Sequence, residues 1–313
     1  MGKSFYENFP LARAVFEEGS DSCSVDFKKL CFEGPESDLT LTENLQPSLL
    51  LTSVAAFRVA EKELEFTPQV CAGHSLGEYS ALVASGAITL WDAARLVRAR
   101  GQAMQKAVPE GLGKMAALLG GNDEQVAKLC ADATATAIKN HPESELPQIV
   151  EPANFNAPGQ IVISGTKEAV EIATAMAKDL RIKALPLNVS APFHCKLMKP
   201  ARDSMNELLQ KTKISDLKNA YIPNRTARIS RESENIASLL SEQIDHVVLW
   251  KQSMLTALSS GHTQFIEFGS GNVLSGLMKR IAKDQPSADL LKLAGVTDVE
   301  SLQSSIKEIA GWK

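Results

Sequence analysis

Gly73-His74-Ser75-Leu76-Gly77 places a serine between two glycines, behind an apolar run ending at Ala72 and ahead of a helical pattern from Glu78 to Ser85. Strand, sharp turn, helix is the context in which Gly-x-Ser-x-Gly forms a nucleophile elbow. A side chain at either glycine is expected to collide with neighbouring backbone, and the turn lifts the Ser75 hydroxyl above the sheet. It also sets the Leu76 N–H at a helix N-terminus, where a developing oxyanion is favoured. The plainer alternative is a glycine-rich turn at a helix start. A serine hydroxyl needs a base, and the chain offers His74, His141, His194, His246 and His262. His74 adjoins the nucleophile, so its ring should point away. His141 falls in a polar loop and His262 at a helix-to-strand turn, while His194 follows Pro192-Phe193. No Asp or Glu stands in a motif suited to orienting the base, and Asp245 is the rival for that role. Arg95, Arg98 and Arg100 share one helix after the elbow, and a guanidinium there could grip a carboxylate by two parallel hydrogen bonds.

The elements that must position these groups follow from the patterning. Pro10–Glu18 reads as a helix with Leu11, Val15 and Phe16 on one face, and Glu36–Thr42 as a polar connection. Glu43–Leu64 is a long helix whose Pro47 suits a first turn. Gln69–Ala72 is a strand, and Leu90–Ala107 an amphipathic helix with Trp91, Ala94, Leu96 and Val97 as core candidates. From Lys114 the rhythm changes: strand Met115–Leu119, helix Asn122–Ala133, strands Ile149–Ala153 and Gln160–Ser164, helix Lys167–Lys178 and strand Ile182–Leu187. That is βαββαβ, the ferredoxin-like order, with Asn140–Gln148 as an exposed loop. The larger pattern then resumes, with helices at Met198–Lys211, Ile236–Ile244, Trp250–Ser260, Val273–Asp284 and Asp298–Ala310. Strands are expected at Ala220–Ile222, Gln264–Phe268 and Leu290–Ala294. The predicted fold is α/β, a hydrolase-like core with a parallel sheet at 1–112 and 190–313, interrupted by a ferredoxin-like insert at 113–189.

Composition narrows the function classes. The 313 residues are 44% hydrophobic and 22% charged, ordinary for a globular protein. A net charge of −4 and 5% aromatics give no field or stacking surface for nucleic acid. No apolar stretch approaches the roughly 20 residues of a membrane span. The start has no apolar signal core, and the five scattered cysteines form no Cys-x-x-Cys pair, so a reduced, cytoplasmic protein without a zinc knuckle is expected.

Gly73-His74-Ser75-Leu76-Gly77-Glu78-Tyr79-Ser80 resembles the signature of malonyl-CoA:acyl carrier protein transacylases. Thr42–Pro47, Arg98–Gln102, Asn154–Gln160, Ser190–Cys195 and the glycine loop Gly269–Leu274 agree with that family in order, across essentially the whole chain. The resemblance implies Ser75 as nucleophile and His194 as base. It implies Arg100 as the group that holds the malonyl carboxylate, with Leu76 and Phe193 limiting space at the α-carbon, and Gln46 near the site. It places the carbonyl that orients the histidine at Leu249, in Gln243–Trp250. The resemblance begins after the family's first strand and Gly-Gln-Gly-Ser-Gln loop, so Leu76 N–H is the one oxyanion donor that carries over; a second is worth about 2.7–4 kcal/mol.

The implied reaction is ping-pong transfer of malonyl from malonyl-CoA to the phosphopantetheine thiol of acyl carrier protein, supplying fatty acid synthesis. No cofactor is expected beyond the CoA thioester as substrate, and a monomer is expected. Carrier proteins are usually acidic, so Lys196 and Lys199 after the histidine, and Lys279 and Arg280 after the glycine loop, are docking candidates. The rivals are a serine hydrolase or thioesterase, a polyketide-pathway acyltransferase, and a catalytically impaired carrier-binding module.

Overall fold

The computed structural model describes residues 1–189 and 191–312; Ser190, the first residue of the histidine motif, lies outside the described residues. The chain opens with helices α1 (Lys3–Asn8), α2 (Pro10–Cys23), α3 (Phe27–Glu33), α4 (Glu36–Thr40) and α5 (Thr42–Leu64). Strand β1 (Val70–Ala72), α6 (Gly77–Ala84) and α7 (Leu90–Ala107) follow. Next come β2 (Gly113–Leu119), α8 (Asp123–Asn140), β3 (Val150–Ala157), β4 (Gln160–Thr166), α9 (Lys167–Asp179) and β5 (Lys183–Pro186). The chain ends with α10 (Lys199–Lys211), β6 (Ala220–Ile222), α11 (Ile236–Gln243), α12 (Trp250–Ser259), β7 (Gln264–Phe268), α13 (Val273–Ala282), β8 (Lys292–Val296) and α14 (Val299–Ala310).

The α/β class holds. The parallel strands form two pairs: β1 with β6, Val70 opposite Ala220, and β7 with β8, Gln264 opposite Lys292. No ladder joins the pairs among the described residues. The antiparallel sheet has the order β3-β4-β2-β5, and its apolar face packs on α8 and α9 through Leu118, Val126, Ile161, Ile163 and Val170. The main core gathers α2, α5, α6, α7 and α10 around Phe16, Leu51, Leu82, Val97 and Met205.

Several local readings change. Glu36–Thr40 is a short helix rather than a connection, and α8 runs seven residues past Ala133, to Asn140. Pro47 lies inside α5, beyond its first turn, so the amide that would bond the Glu43 carbonyl is missing. Trp91 is 43% exposed. The buried stripe of α7 runs Leu90, Ala93, Ala94, Val97, Arg100, Gly101 and Met104, and Trp91 sits beside it. Leu11 is likewise exposed on α2.

Helix packing brings the polar groups together. A Cβ on Gly101 would lie 2.6 Å from Glu43 Cα and from the Thr42 carbonyl, so glycine there lets α7 touch the start of α5. That contact carries Gln46 to Arg100. The inserted sheet is tied to the α12 side of the core by backbone bonds: Phe155 N–H donates to Val248 O at 3.0 Å, and Val248 N–H to Ala153 O at 2.9 Å. Lys251 Nζ closes the same seam on Asp123 at 2.6 and 2.7 Å.

Candidate active site

Ser75 occupies the turn between β1 and α6 with φ 52°, a left-handed conformation that a non-glycine residue adopts only under strain. Only one of the flanking glycines is sterically demanded. A Cβ on Gly73 would stand 1.9 Å from the Gly77 carbonyl oxygen, whereas a Cβ on Gly77 would meet nothing within 4 Å. This corrects the expectation that both would collide: the elbow's two arms cross at Gly73, and Gly77 already lies on the helix surface.

Asn224, just past the end of β6, clamps the turn. Its Oδ1 accepts from Ser75 N–H at 2.7 Å and its Nδ2 donates to the Gly73 carbonyl at 2.7 Å. The parallel pairing of β1 and β6 puts both carboxyl ends on one side, where sites form in α/β sheets. In the sequence, a polar residue directly after Ile222-Pro223 at a strand end was the one trace of Asn224.

Among the five histidines, His194 meets the serine, with Nε2 2.7 Å from Ser75 Oγ. Its Nδ1 lies 2.8 Å from the Gln243 carbonyl. A carbonyl only accepts, so Nδ1 carries the hydrogen, and Nε2 presents its lone pair to the Ser75 hydroxyl. Burial first, and then the nearby Arg100 charge, push His194 down to about 3, so the ring is neutral. His74 points elsewhere: its Nε2 is 2.8 Å from Asn156 Oδ1 on β3, and its ring lies against Trp250. Burial lowers its pKa too. His246 pairs with Asp245 at 2.6 Å. Asp245 also faces Arg202, not His194.

The orienting carbonyl is Gln243, not Leu249. Gln243 is the last residue of α11, where terminal carbonyls have no partner in the helix. The Leu249 carbonyl is consumed one turn into α12, accepting from Ser253 N–H and Oγ, each at 2.9 Å. Helix boundaries decide which carbonyl is left over for the imidazole.

Arg100 is 2% exposed. Its Nη1 donates to Gln46 Oε1 at 2.6 Å, and its Nη2 to Gln243 Oε1 at 2.8 Å and to Ser75 Oγ at 3.0 Å. Its acceptors are neutral, which leaves a buried cation beside Ser75 without a carboxylate in its fork. Gln243 is fully buried and connects everything. Its Nε2 donates to the Ser75 carbonyl at 2.8 Å and to Glu78 Oε2 at 2.7 Å. Gln243, Asn224 and Glu78 escaped the sequence reading as functional residues, because they act through an end carbonyl, a loop amide and a helix-start acid.

Leu76 and Phe193 are half-buried neighbours of Ser75 and His194, both packed on the main core. The docking candidates lie outside this cluster. Lys196 bonds Glu151 at 3.0 Å and Lys199 bonds Asp203. Lys279 is exposed in the last turn of α13, and Arg280 donates to Gln160 at 2.6 Å. Among the described residues no cluster of His, Cys, Asp or Glu is arranged to hold a metal ion, and no helix is long and apolar enough to cross a membrane.

The acyl transferase domain model matches residues 1–298. Malonyl CoA-acyl carrier protein transacylase of Bacillus subtilis strain 168 is 42% identical over 310 residues, covering 99% of this chain and 92% of that protein. The Escherichia coli K12 protein of the same name is 41% identical over 289 residues, 90% of each. The structure of acyl-carrier-protein S-malonyltransferase from Burkholderia pseudomallei superposes with a TM-score of 0.89 at 40% identity, covering 98% of this chain and 94% of that one. A malonyl-transacylase solved in complex with its type II PKS acyl-carrier protein also gives 0.89, at 38% identity, covering 98% and 94%. The chain is an acyltransferase and belongs to the acyl transferase domain family.

Proposed function

We propose that this chain transfers malonyl from malonyl-CoA to the phosphopantetheine thiol of acyl carrier protein, for fatty acid synthesis, through a malonyl ester on Ser75. The observation that carries the reading is the meeting of Ser75 Oγ with His194 Nε2 and Arg100 Nη2, at 2.7 and 3.0 Å. Arg100 binds the free carboxylate of the malonyl group. Its buried cation disfavours acetyl or fatty acyl groups, which would leave it unpaired. Ser75 gives its proton to His194 Nε2 as Oγ attacks the thioester carbon. Leu76 N–H, at the start of α6, donates to the oxyanion. The tetrahedral intermediate collapses, the C–S bond breaks, and the proton passes from Nε2 to the CoA sulfur. In the second half the carrier thiol gives its proton to Nε2 and attacks the ester, and the Ser75 oxygen leaves with that proton.

The Gln243 carbonyl holds the Nδ1–H tautomer throughout. It is a weaker partner for an imidazolium than a carboxylate would be, which suits a thioester, an easier acyl donor than an amide. Leu76 and Phe193 restrict the α-carbon, a selectivity of about 1–3 kcal/mol per methyl. Gln46 aims the guanidinium. Lys279 and Arg280, with Lys196 and Lys199 partly offset by Glu151 and Asp203, receive the acidic carrier. A cytoplasmic location goes with this reading, since all five thiols are free.

The test is intact mass after mixing with malonyl-CoA, followed by holo carrier protein. A malonyl adduct on Ser75 that moves to the carrier is expected. Faster release of free malonate than of malonyl carrier would favour the hydrolase, and no adduct at all would favour the carrier-binding module.

A further inference from the structure

Glu78 is 1% exposed and belongs to none of the steps above. It lies on the first turn of α6, three residues beyond Ser75, and points inward. Its Oε2 accepts from Gln243 Nε2 at 2.7 Å and from Asn224 N–H at 3.1 Å. These are the two residues that clamp the elbow and hold Arg100 and His194. The Gln243 amide stands between the acid and the guanidinium, with Nε2 toward Glu78 and Oε1 toward Arg100 Nη2. Turning that amide over would set donor against donor at Arg100 and acceptor against acceptor at Glu78, so the two charges lock its orientation. Among the described residues neither Glu78 Oε1 nor Arg100 Nε has a hydrogen-bond partner. Both charges are therefore under-satisfied, and an unpaired buried charge is costly.

We propose that Glu78 is a positioning residue and the counter-charge of Arg100 at one remove: through the Gln243 amide it keeps the guanidinium aimed while leaving the fork with neutral acceptors only, which the acyl carboxylate can displace. A carboxylate bonded to Arg100 directly would compete with substrate for the fork as an anion; the amide spacer balances the charge while putting only a neutral acceptor there. The inference rests on the malonyl-transfer reading of the same site. The acid's titration sets the pH range in which this counter-charge is present. Burial lifts Glu78 to about 7, while Gln243, Asn224 and the Arg100 charge restrain the rise. The other titratable groups facing it are Tyr79 on its own helix and Tyr221 on β6, both pushed up by burial and therefore neutral. His194 and His74, across the serine, are neutral as well. Above pH 7 Glu78 is charged and shares the Arg100 field; below it Arg100 faces substrate alone.

Glu78→Gln tests this, because its amide oxygen still accepts from Gln243 and Asn224 while the charge is gone. Without the counter-charge the unloaded site is poorer and the malonyl-loaded site better balanced. Measured well above pH 7, where Glu78 is charged, the expected result is a rise in kcat/KM for malonyl-CoA on the order of five- to tenfold, with kcat falling because the malonyl enzyme is over-stabilised. Acetyl-CoA, which lacks the carboxylate, should show no such split, and Glu78→Asp, which keeps the charge, should restore wild-type behaviour. Equal loss of kcat and kcat/KM, or no change in either, overturns the proposal. The wild-type enzyme gives a second reading if Glu78→Gln does not fold: its malonyl-to-acetyl ratio of kcat/KM should fall several-fold as pH rises through about 7, and a flat ratio overturns the proposal. Should wild type form no malonyl adduct, the malonyl reading fails and this inference with it; with the adduct present, a failed split condemns Glu78 alone.

Discussion

The Ser75 hydroxyl is gripped from two sides, donating to a neutral imidazole and accepting from a buried guanidinium. Arg100→Lys keeps the charge but loses the planar fork. It should lower kcat/KM for malonyl-CoA by about 1.5–3 kcal/mol, the worth of a charged hydrogen bond, and leave acetyl-CoA little changed in the same assay. His194 sets a pH dependence whose sign follows from its direction of shift. The unfolded chain takes a proton on this ring below about 6.5, and the folded protein only near 3. The folded state therefore binds fewer protons in that window and loses stability as pH falls from 6.5 toward 3. Thermal unfolding across that range should show the decline, and His194→Ala should lessen it, with His74 carrying part of what remains. Ser75, His194 and Arg100 were all named from the sequence, because each sits in a contiguous motif. Leu249 was named wrongly, since a backbone carbonyl leaves no mark in side-chain pattern.

At the scale of elements, the elbow depends on two arms crossing at Gly73. Gly73→Ala drives a Cβ into the Gly77 carbonyl and should cost at least about 1–3 kcal/mol, with loss of the Ser75 adduct. Gly77→Ala has open space and a helical setting, so its unfolding temperature should match or exceed that of wild type. Calorimetry on the pair checks both. The symmetric motif suggested equal roles; the unequal surroundings come from the path of the chain after the turn. The long helices were legible from their apolar period, and Thr89 caps α7 by accepting from Asp92 N–H. The short helices α3 and α4 were not, because five to seven residues carry too little periodicity to separate from a polar loop.

Across the whole molecule, the inserted sheet meets the site along a seam of β3 against Val248, Asn156 against His74, and Asp123 against Lys251. Lys251 is 15% exposed and Asp123 38%, so the pair is partly shielded from solvent. Lys251→Met should cost about 1 kcal/mol and speed hydrogen exchange along β3 more than in α5. Carrier docking belongs to this scale too. Lys279→Glu with Arg280→Glu should raise KM for the carrier and reduce the further rise of KM with added salt, while leaving malonyl loading of Ser75 from malonyl-CoA intact. Carrier titration and the loading reaction alone, measured separately, decide it.

By itself the sequence singled out Ser75, His194 and Arg100 and the alternation of elements that surrounds them, because turns, periods and motifs are written in neighbouring residues. Tertiary structure alone decided that Gln243 rather than Leu249 faces the imidazole, that Asn224 clamps the elbow, and that Glu78 stands one amide away from Arg100. These depend on where helices end and which strands lie side by side, and contacts of residues 150 or so positions apart in the chain have no local signature.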